Sequence, residues 1–325
     1  MQHWTDYWKN TNALNSFSEG KQGQGYQKDI ADFWENQFKQ ITPSGTVVDL
    51  GTGNGAVAVL AWLFSKNNQL DWNVIGIDAA NIDPRKLNLE DKLIKRSLNN
   101  IEFIANTPIE TAPFQAGSID AFISQFAFEY SDLKKSLQHC FNCLKPGGII
   151  SIISHHPKSH ISYDSLIGEK VIRYILEESP AFMQTDLLLD IALQQTQAGQ
   201  MHNWTKNPHK QVINTTLHWI FAQLTDKYSA DADAEYWCKL TIGQIVNILK
   251  QVGTIDPLQL KRHLQQLYHN LVSHRLRLQD QNNACLSETR LEQIEEHCKT
   301  NGISLKVEEF YIEGKLFAFH LIMQK

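Results

Sequence analysis

The fold is decided at residues 47–55, whose sequence is VVDLGTGNG. An apolar, β-branched run stops there in a loop with three alternating glycines, and the apolar residues 56–64 that follow are long enough for a buried helix. Glycine lets the backbone turn sharply from a strand into a helix, and a helix N-terminus offers unpaired N–H groups. The pattern therefore predicts a strand, a loop that binds a polar or anionic ligand, and a helix.

Strand-like and helical segments alternate after this loop. Helical sequence fills 84–98 and 131–144, and the sequence KPGG at 145–148 ends the second helix, because neither Pro nor Gly continues a helix well. Alternating strands and helices imply a parallel sheet with helices on both faces. We expect an α/β fold, a doubly wound, Rossmann-like, seven-stranded sheet with a C-terminal antiparallel hairpin around Glu313-Gly314. The further strand-like runs are 72–78, 101–104, 119–124, 149–153, 303–312 and 315–323.

Two regions outside this pattern define the domain organisation. The first 40 residues hold eight aromatic residues and predict two short helices joined by the glycine-rich stretch 20–25. Residues 156–286 lose the strand-like runs and show apolar stripes at helical spacing, which predicts a helical insertion. The predicted parts are an aromatic N-terminal helical segment (1–40), an α/β core that binds the ligand (41–155), a helical insertion that caps the substrate (156–286), and the end of the core as a helix plus hairpin (287–325).

Composition excludes several classes of protein. The chain has 325 residues, of which 42% are hydrophobic and 20% charged, which predicts a globular protein. The net charge of −5, and twelve basic against twelve acidic residues in the insertion, speak against a nucleic-acid partner. Residues 1–10 contain no apolar run typical of a secretory signal, and no apolar stretch is long enough to span a membrane. We expect a cytoplasmic protein.

The cysteines do not form a recognisable framework. Their number is five, and only Cys140 and Cys143 are close in sequence. This CxxC pair lacks a second pair at zinc-site spacing and falls within the predicted amphipathic helix. We therefore expect reduced thiols and no metal site.

The glycine loop alone is compatible with two kinds of ligand, a dinucleotide or a ligand with an amino-acid part. Residues 51–56 also fit the GxGxxA form of the dinucleotide fingerprint. Asp49 argues against a dinucleotide, because a carboxylate two residues before the first glycine repels a pyrophosphate and attracts the ammonium of an amino acid. A five-strand unit closed by a C-terminal hairpin is also not the repeated half of a dinucleotide-binding fold.

The combined motifs resemble the class I S-adenosylmethionine-dependent methyltransferases. Residues 49–55 are similar to the DxGxGxG motif of that family, and residues 74–78 to its acidic second strand. Residues 145–148 resemble the turn before its fifth strand, and FQAGSIDAFIS at 114–124 is similar to its PFxxxSFDxVxS pattern. The resemblance covers about 41–155 and 287–325. It implies an enzyme whose cofactor is S-adenosyl-L-methionine, and it does not extend to the insertion.

The resemblance also implies a set of cofactor-binding residues. Asp49 and the glycine loop would hold the methionine part, and Asp78 would accept hydrogen bonds from both ribose hydroxyls. Asn106 stands where the family often has an acid that binds the adenine amine, and an amide oxygen presents the same acceptor. The full expected set is Asp49, Gly51, Thr52, Gly53, Gly55, Asp78, Ala79, Asn106, Thr107, Gln125 and Phe126.

Four residues at the same rim are candidates for catalysis. Glu129 and Tyr130 follow the fourth strand, and His155 and His156 follow the fifth, where the carboxyl ends of parallel strands open onto the ligand crevice. Methyl transfer from a sulfonium is an in-line displacement, so a base is needed only where the nucleophile arrives protonated. Asp120 resembles the structural acid of the family's fourth strand and stays outside this set.

We therefore predict S-adenosylmethionine-dependent methyl transfer to a small-molecule acceptor. The insertion follows the fifth strand and should emerge beside the ligand crevice, where it can enclose that acceptor. Three alternatives stay open at this point. One is a non-catalytic or repurposed protein that binds S-adenosylmethionine, and another, which the motifs favour less, is a NAD-dependent oxidoreductase. The third is methyl transfer to a macromolecule such as RNA or protein, which the charge count disfavours. No oligomeric state is predicted.

Overall fold

A computed structural model describes residues 1–16, 26 and 28–325. Its described strands form one seven-stranded sheet with the order β3-β2-β1-β4-β5-β7-β6. The first five strands pair in parallel, and β7 is antiparallel to both β5 and β6, which confirms the predicted sheet and hairpin. The strands are β1 (Ser44–Leu50), β2 (Asp71–Ile77), β3 (Glu102–Ile104), β4 (Ile119–Gln125), β5 (Leu144–His155), β6 (Ser304–Ile312) and β7 (Lys315–Gln324).

Helices connect these strands and fill the remainder of the described chain. The α-helices of the described residues are α1 (Gln2–Asn10), α2 (Asp29–Phe38), α3 (Ala56–Asn67), α4 (Lys92–Asn100), α5 (Leu133–Cys143), α6 (His160–Glu177), α7 (Ala181–Gln197), α8 (Pro208–Lys227), α9 (Ala232–Leu249), α10 (Pro257–Ala284) and α11 (Glu288–Thr300). The N-terminal helices predicted from aromatic spacing are present as α1 and α2. The glycine-rich stretch 20–25 predicted between them lies outside the described residues.

The order of the strands indicates where the sheet can bind a ligand. The chain runs outward from β1 through β2 to β3, then returns to β4 on the other side of β1 and continues to β5. Asp49 of β1 is level with Gly76 of β2 and with Ile123 of β4. The carboxyl ends of these three parallel strands therefore lie side by side at the point where strand order reverses, which is where open α/β sheets bind ligands.

Alternate residues of β1 supply the two faces of the core. Val48 packs in a cluster with Leu137 and Phe141 of α5, whereas Val47 packs in a second cluster with Ala58 of α3 and Trp34 of α2. This alternation follows from the two-residue period of a strand. Burying a large apolar side chain contributes about 1.5–3 kcal/mol, so both faces hold the strand in register. A slip of one residue would exchange the two clusters.

Asp120 has a structural position at the opposite edge of the sheet. Its Oδ2 accepts hydrogen bonds from Thr46 N at 2.7 Å and from Lys145 Nζ at 2.7 Å. It thereby joins the beginnings of β1, β4 and β5. The carboxylate fills the space beside Gly45, where an added Cβ would lie 2.2 Å from Asp120 Oδ2.

One helix differs from the sequence prediction. A continuous helix was expected over 84–98, but the chain makes a short 3-10 turn at Pro84–Lys86, and α4 begins only at Lys92. Asp91 sets this start, because its side chain accepts hydrogen bonds from Leu93 N and Ile94 N as an N-cap. Apolar spacing predicts one continuous helix here because it carries no information about an N-cap.

The chain divides into two compact units, Met1–Ser162 with Asn283–Lys325, and Tyr163–Asn282. The second unit is helical and has its own core, in which Ile172, Leu224 and Ile245 are buried together. Trp237 anchors that core. Its Nε1 donates to Asp164 Oδ1 at 2.8 Å, and an added Cβ at Gly168 would lie 2.7 Å from its ring.

None of the helices among the described residues combines the length and the apolar character needed to cross a bilayer.

Candidate functional site

The glycine loop has the left-handed backbone that its sequence predicts. Gly51, Gly53 and Gly55 have φ values of 66°, 53° and 90°. The loop is also crowded, because an added Cβ at Gly51 would lie 2.3 Å from Cβ of Ala127, and one at Gly53 would lie 2.5 Å from the ring of Trp8. Neither position can accept a larger residue without moving its neighbour, so glycine is required there for space as well as for φ.

Asp49 closes the bend from β1 into α3. Its Oδ2 accepts hydrogen bonds from Thr52 Oγ1 at 2.6 Å and from Ala58 N at 3.1 Å. The side chain is buried. Its hydrogen bond to Ala58 supplies a partner for the first turn of α3, whose N–H groups have no partners within the helix. Sequence reasoning gave Asp49 only a ligand-facing role, and the structure adds this loop-closing one.

Asp78 follows β2 and is tied to the same loop. Its Oδ2 accepts from Gly53 N at 2.8 Å, and its Oδ1 accepts from Ala80 N at 2.7 Å. Each carboxylate oxygen retains capacity for a further hydrogen bond. The two acids predicted to flank the ligand therefore both bond to the region of the glycine loop, Asp49 at Thr52 and Asp78 at Gly53.

The segment after β3 lies beside Asp78. Thr107 N donates to Asp78 O at 2.8 Å, and Asn106 N donates to Ala80 O at 3.1 Å. Asn106 is exposed and has a φ of 55°, a left-handed conformation that asparagine tolerates better than most residues. The predicted residues Ala79, Asn106 and Thr107 are thus brought together with Asp78.

Burial shifts the ionisation of both acids. Desolvation raises the pKa of Asp49 to about 7, against an ordinary value of 3.8, while its hydrogen bonds from Thr52 and Ala58 partly oppose the shift. Desolvation likewise raises the pKa of Asp78 to about 6, opposed by its hydrogen bonds from Ala80 and Gly53. Asp78 raises the pKa of Asp49 further by repulsion. Two neighbouring buried acids of this kind favour a positively charged ligand.

A fixed amide stands at the carboxyl end of β4. Gln125 Oε1 accepts a 2.6 Å hydrogen bond from Trp34 Nε1, a contact that sequence reasoning missed. This bond sets the orientation of the amide. Its Nε2 is buried and has no hydrogen-bond partner among the described residues. A buried donor without a partner costs about 1–3 kcal/mol, and a ligand acceptor can relieve that cost.

Three of the four catalytic candidates lie together. Glu129 Oε1 is 2.7 Å from His155 Nδ1, and the ring centroids of His155 and Tyr130 are 6.0 Å apart. His156 makes different contacts, because its Nδ1 accepts from Lys158 N at 2.9 Å and its ring packs on Phe319 at 4.0 Å between centroids.

The N-terminal helix α1 contacts the glycine loop, which sequence reasoning left open. Asn54 Nδ2 donates to Trp8 O at 3.3 Å and to Ala13 O at 2.9 Å. Thr5 Oγ1 accepts from Asn81 N at 3.1 Å. The only sequence signal for this packing is the density of aromatic residues before residue 40.

A family model described as "Methyltransferase domain" matches residues 48–152, which run from within β1 to within β5 and include the loop and both acids. Residues 48–152 thus match a methyltransferase domain. This match agrees with the S-adenosylmethionine-dependent methyltransferase that the motifs predict.

Solved structures show more distant similarity to this chain. The geranyl diphosphate C-methyltransferase of Streptomyces coelicolor A3(2), in complex with Mg²⁺, geranyl diphosphate and S-adenosyl-L-homocysteine, is 18% identical over 48% of this chain and 65% of its own, with a TM-score of 0.35. A putative S-adenosyl-L-methionine-dependent methyltransferase from Methanococcus maripaludis is 13% identical over 91% and 83%, with a TM-score of 0.36. The [4+2]-cyclase SpnF is 15% identical over 47% and 58%, with a TM-score of 0.35.

These similarities do not extend to the function of the whole protein. The chain spans 46% and 65% of the lengths of two geranyl diphosphate methyltransferase structures that it matches. Similarity at this level bears on neither the acceptor nor the mechanism of the methyltransferase domain.

The residues of the methyltransferase domain fit the cofactor in their chemistry. S-adenosylmethionine has a sulfonium, an ammonium and two ribose hydroxyls, which match the buried acids Asp49 and Asp78. It also has a carboxylate, which matches the N–H groups at the start of α3 and the unpartnered amide of Gln125. No group of three or more His, Cys, Asp or Glu side chains that could hold a metal occurs among the residues described.

We predict that the affinity of the methyltransferase domain for S-adenosylhomocysteine rises with pH. The pKa values of Asp49 and Asp78 are about 7 and about 6, and each acid pairs with an ammonium, or accepts hydrogen bonds on both oxygens, only when it is ionised. The apparent dissociation constant should therefore rise about tenfold per pH unit below about 7, and more steeply below about 6. Calorimetric titrations from pH 5 to pH 8 measure this dependence.

Asp78→Asn is the control for this prediction. In this variant the dissociation constant should lose its steeper rise below about pH 6 and keep the pH dependence that comes from Asp49. The stability of the protein without ligand has the opposite pH dependence. Unfolded aspartates ionise near 3.8, whereas the pKa of buried Asp49 is about 7, so the stability that this residue contributes at low pH is lost as pH rises through about 7. An affinity that does not change between pH 5 and pH 8 would contradict the assignment of both acids.

Proposed function

We propose that the protein transfers a methyl group from S-adenosylmethionine to a small-molecule acceptor. One observation carries this proposal: two buried carboxylates flank a single glycine loop, with Asp49 bound to Thr52 and Asp78 bound to Gly53 N at 2.8 Å. The arrangement offers negative charge where the sulfonium cofactor carries positive charge. A dinucleotide would bring its pyrophosphate to the same acids, which disfavours an oxidoreductase.

Each part of the cofactor has a proposed partner among the residues around the glycine loop. Asp78 accepts hydrogen bonds from the ribose, and Asn106 and Thr107, held beside it, contact the adenine. The loop at Gly51, Gly53 and Gly55 holds the methionine part, together with Asp49. Gln125 donates its unpartnered N–H to an oxygen of the cofactor, and Phe126 lines the same space. The bound cofactor supplies an electrophilic methyl group, and the protein supplies its position relative to the acceptor.

The helical unit Tyr163–Asn282 is proposed as the cover of the acceptor. Support comes from where the chain leaves and rejoins the α/β unit. Ser162 Oγ and Cys285 Sγ lie 3.2 Å apart, and Leu286 N donates to His155 O at 3.1 Å. Both connections therefore meet directly after β5, at the carboxyl edge of the sheet that carries the cofactor residues. An insertion at this edge can enclose a small acceptor and exclude water.

Asp78→Ala should weaken the affinity for S-adenosylhomocysteine at least about 100-fold, because hydrogen bonds to a charged group contribute about 1.5–3 kcal/mol each. Asp78→Asn keeps the shape of the side chain and should weaken binding less. Asp71→Ala is the matched control, since Asp71 is an exposed acid at the other end of β2 and its loss should leave the affinity unchanged. Calorimetry measures all four proteins.

The same titrations distinguish the alternatives. Wild-type protein that binds S-adenosylhomocysteine and not NADH supports the proposal. Saturable binding of NADH with no response to S-adenosylhomocysteine would contradict it. Binding of the cofactor product without turnover in a broad acceptor screen would favour the non-catalytic alternative.

Replacement of residues 163–282 by a short Gly-Ser linker tests the cover. The linker is feasible because Ser162 and Cys285 are already in contact. The shortened protein should bind S-adenosylhomocysteine with wild-type affinity and lose acceptor turnover, measured as S-adenosylhomocysteine released from S-adenosylmethionine. Wild-type turnover by the shortened protein would show that the helical unit does not enclose the acceptor.

A further inference from the structure

A buried acid–histidine pair lies beside the proposed cofactor site. Glu129 and His155 are 1% and 3% exposed. Glu129 Oε1 accepts from the backbone N of His155 at 2.8 Å and is 2.7 Å from its Nδ1. One carboxylate oxygen thus binds both the main chain and the ring of the same histidine, which fixes the position and the rotation of that ring.

This contact also determines which ring nitrogen carries the proton. A carboxylate oxygen accepts hydrogen bonds, so Nδ1 of a neutral His155 must be the N–H donor and Nε2 must hold the lone pair. No residue among those described forms a hydrogen bond with Nε2. His155 therefore presents a basic nitrogen whose tautomer is set by Glu129, in the same logic by which the acid of a Ser-His-Asp triad orients its histidine.

Glu129 is also held through its backbone. Arg290 Nη2 donates to the carbonyl oxygen of Glu129 at 2.6 Å, and Arg290 Nη1 donates to the carbonyl oxygen of Ala284. Ser154 Oγ also lies 3.5 Å from Glu129 Oε2. A buried polar pair adds little stability compared with apolar residues of similar volume, because desolvation offsets the attraction. The backbone and the carboxylate of Glu129 are therefore both held in place, which a requirement for position explains better than a gain in stability.

The pair lies next to the glycine loop through a short chain of contacts. The ring of His155 packs on Phe126 at 4.4 Å between centroids. Phe126 has a φ of 54°, an unfavourable value for an aromatic residue, and the next residue, Ala127, fills the space beside Gly51. Tyr130 lies between His155 and Trp4 of α1, at 6.0 Å and 5.7 Å. Aromatic rings therefore flank the ring of His155, and the residue after one of them, Ala127, contacts the glycine loop.

His156 does not offer a second base of this kind. Its Nδ1 is used as an acceptor for Lys158 N, and its Nε2 is 3.6 Å from Glu309 Oε1. Its backbone oxygen accepts from Ser162 Oγ at 2.8 Å. Nδ1 is thus occupied by the segment that leads into α6, and Nε2 faces the Glu309 carboxylate of β6.

We propose that His155 is the general base of the methyl transfer, that Glu129 is its positioning residue, and that the acceptor presents a hydroxyl group of the phenol type. This inference deepens the proposed function and rests on it. An oxygen acceptor that binds as a neutral O–H can donate its hydrogen bond to Nε2, which points the oxygen lone pair away from the base. The rings of Phe126 and Tyr130 beside His155 can pack against an aromatic acceptor, and a phenol hydroxyl gives up its proton to an imidazole more readily than an aliphatic alcohol does.

The transfer step balances without a further reactant. His155 Nε2 takes the proton of the acceptor hydroxyl as an oxygen electron pair forms the new C–O bond. The electron pair of the breaking C–S bond stays on sulfur, which leaves as a neutral thioether. The products are a methyl ether, S-adenosylhomocysteine and an imidazolium ion paired with the Glu129 carboxylate, and the imidazolium returns its proton to water.

Nuclear magnetic resonance of the protein with ¹⁵N-labelled histidine rings, saturated with S-adenosylhomocysteine, tests the pair directly and needs no acceptor. The signal that disappears in His155→Gln should show a protonated Nδ1, an unprotonated Nε2 and a far-downfield Nδ1 proton at pH 8. In Glu129→Gln this proton signal should move upfield. A wild-type His155 with its proton on Nε2 would overturn the proposal, whatever the stability of either variant.

Kinetics provides the second readout, with catechol, 4-nitrophenol, benzyl alcohol, aniline and thiophenol as acceptors. Methylation of a phenol, with kcat reduced about 10²- to 10⁴-fold by His155→Gln at an unchanged KM for S-adenosylmethionine, supports the proposal. Glu129→Gln should also lower kcat and shift its pH profile. Methylation of aniline or thiophenol alone, or a pH profile that neither variant alters, would overturn it.

His139→Gln is the matched control, because this histidine lies on α5 beside Cys143, 3.6 Å from its Sγ, and should leave kcat unchanged. Cofactor binding separates the two levels of the account. Wild-type protein that fails to bind S-adenosylhomocysteine refutes the proposed function itself. Protein that binds it with normal affinity but lacks the His155 signature refutes only the base.

Discussion

The α/β unit depends on one buried carboxylate that closes a bend of the chain. Asp49 Oδ2 holds Thr52 Oγ1 and Ala58 N, so a single side chain fixes both the glycine loop and the first turn of α3. Asp78 then ties the loop to β2 through Gly53 N. Burying two acids side by side is unfavourable unless hydrogen bonds or positive charge compensate them. The fold supplies the hydrogen bonds and leaves the positive charge to the ligand.

The surroundings of the loop come from distant parts of the chain. Helix α1 packs Trp8 against Gly53 and is held there by Asn54, while Trp34 of α2 fixes the amide of Gln125. On the other side, Arg290 fixes the backbone of Glu129. The methyltransferase motif thus provides the loop and its acids, and segments far from it in sequence set the orientation of the residues around it. Such orientation matters because alignment supplies much of the rate of an in-line displacement.

The sequence predicts the loop well because strand, glycines, acid and helix are adjacent in the chain, and each has a local signature. It predicts the sheet for the same reason, since apolar runs and turn residues alternate. The contact between Glu129 and His155 joins residues that follow different strands, so spacing indicates their shared edge and not their pairing. Arg290 carries no local signal at all. Conversely, the apolar spacing over 84–98 predicts one helix, because periodicity does not register the N-cap at Asp91.

The central claim is that Asp49 and Asp78 flank the binding site of an adenosyl sulfonium. The most direct measurement is a crystal structure of the full chain with S-adenosylhomocysteine. The account predicts ribose hydroxyls within hydrogen-bonding distance of the Asp78 carboxylate and the methionine part along the loop from Gly51 to Gly55. A ligand whose ribose contacts neither Asp78 nor the segment at Asn106, or one bound away from the glycine loop, would contradict it.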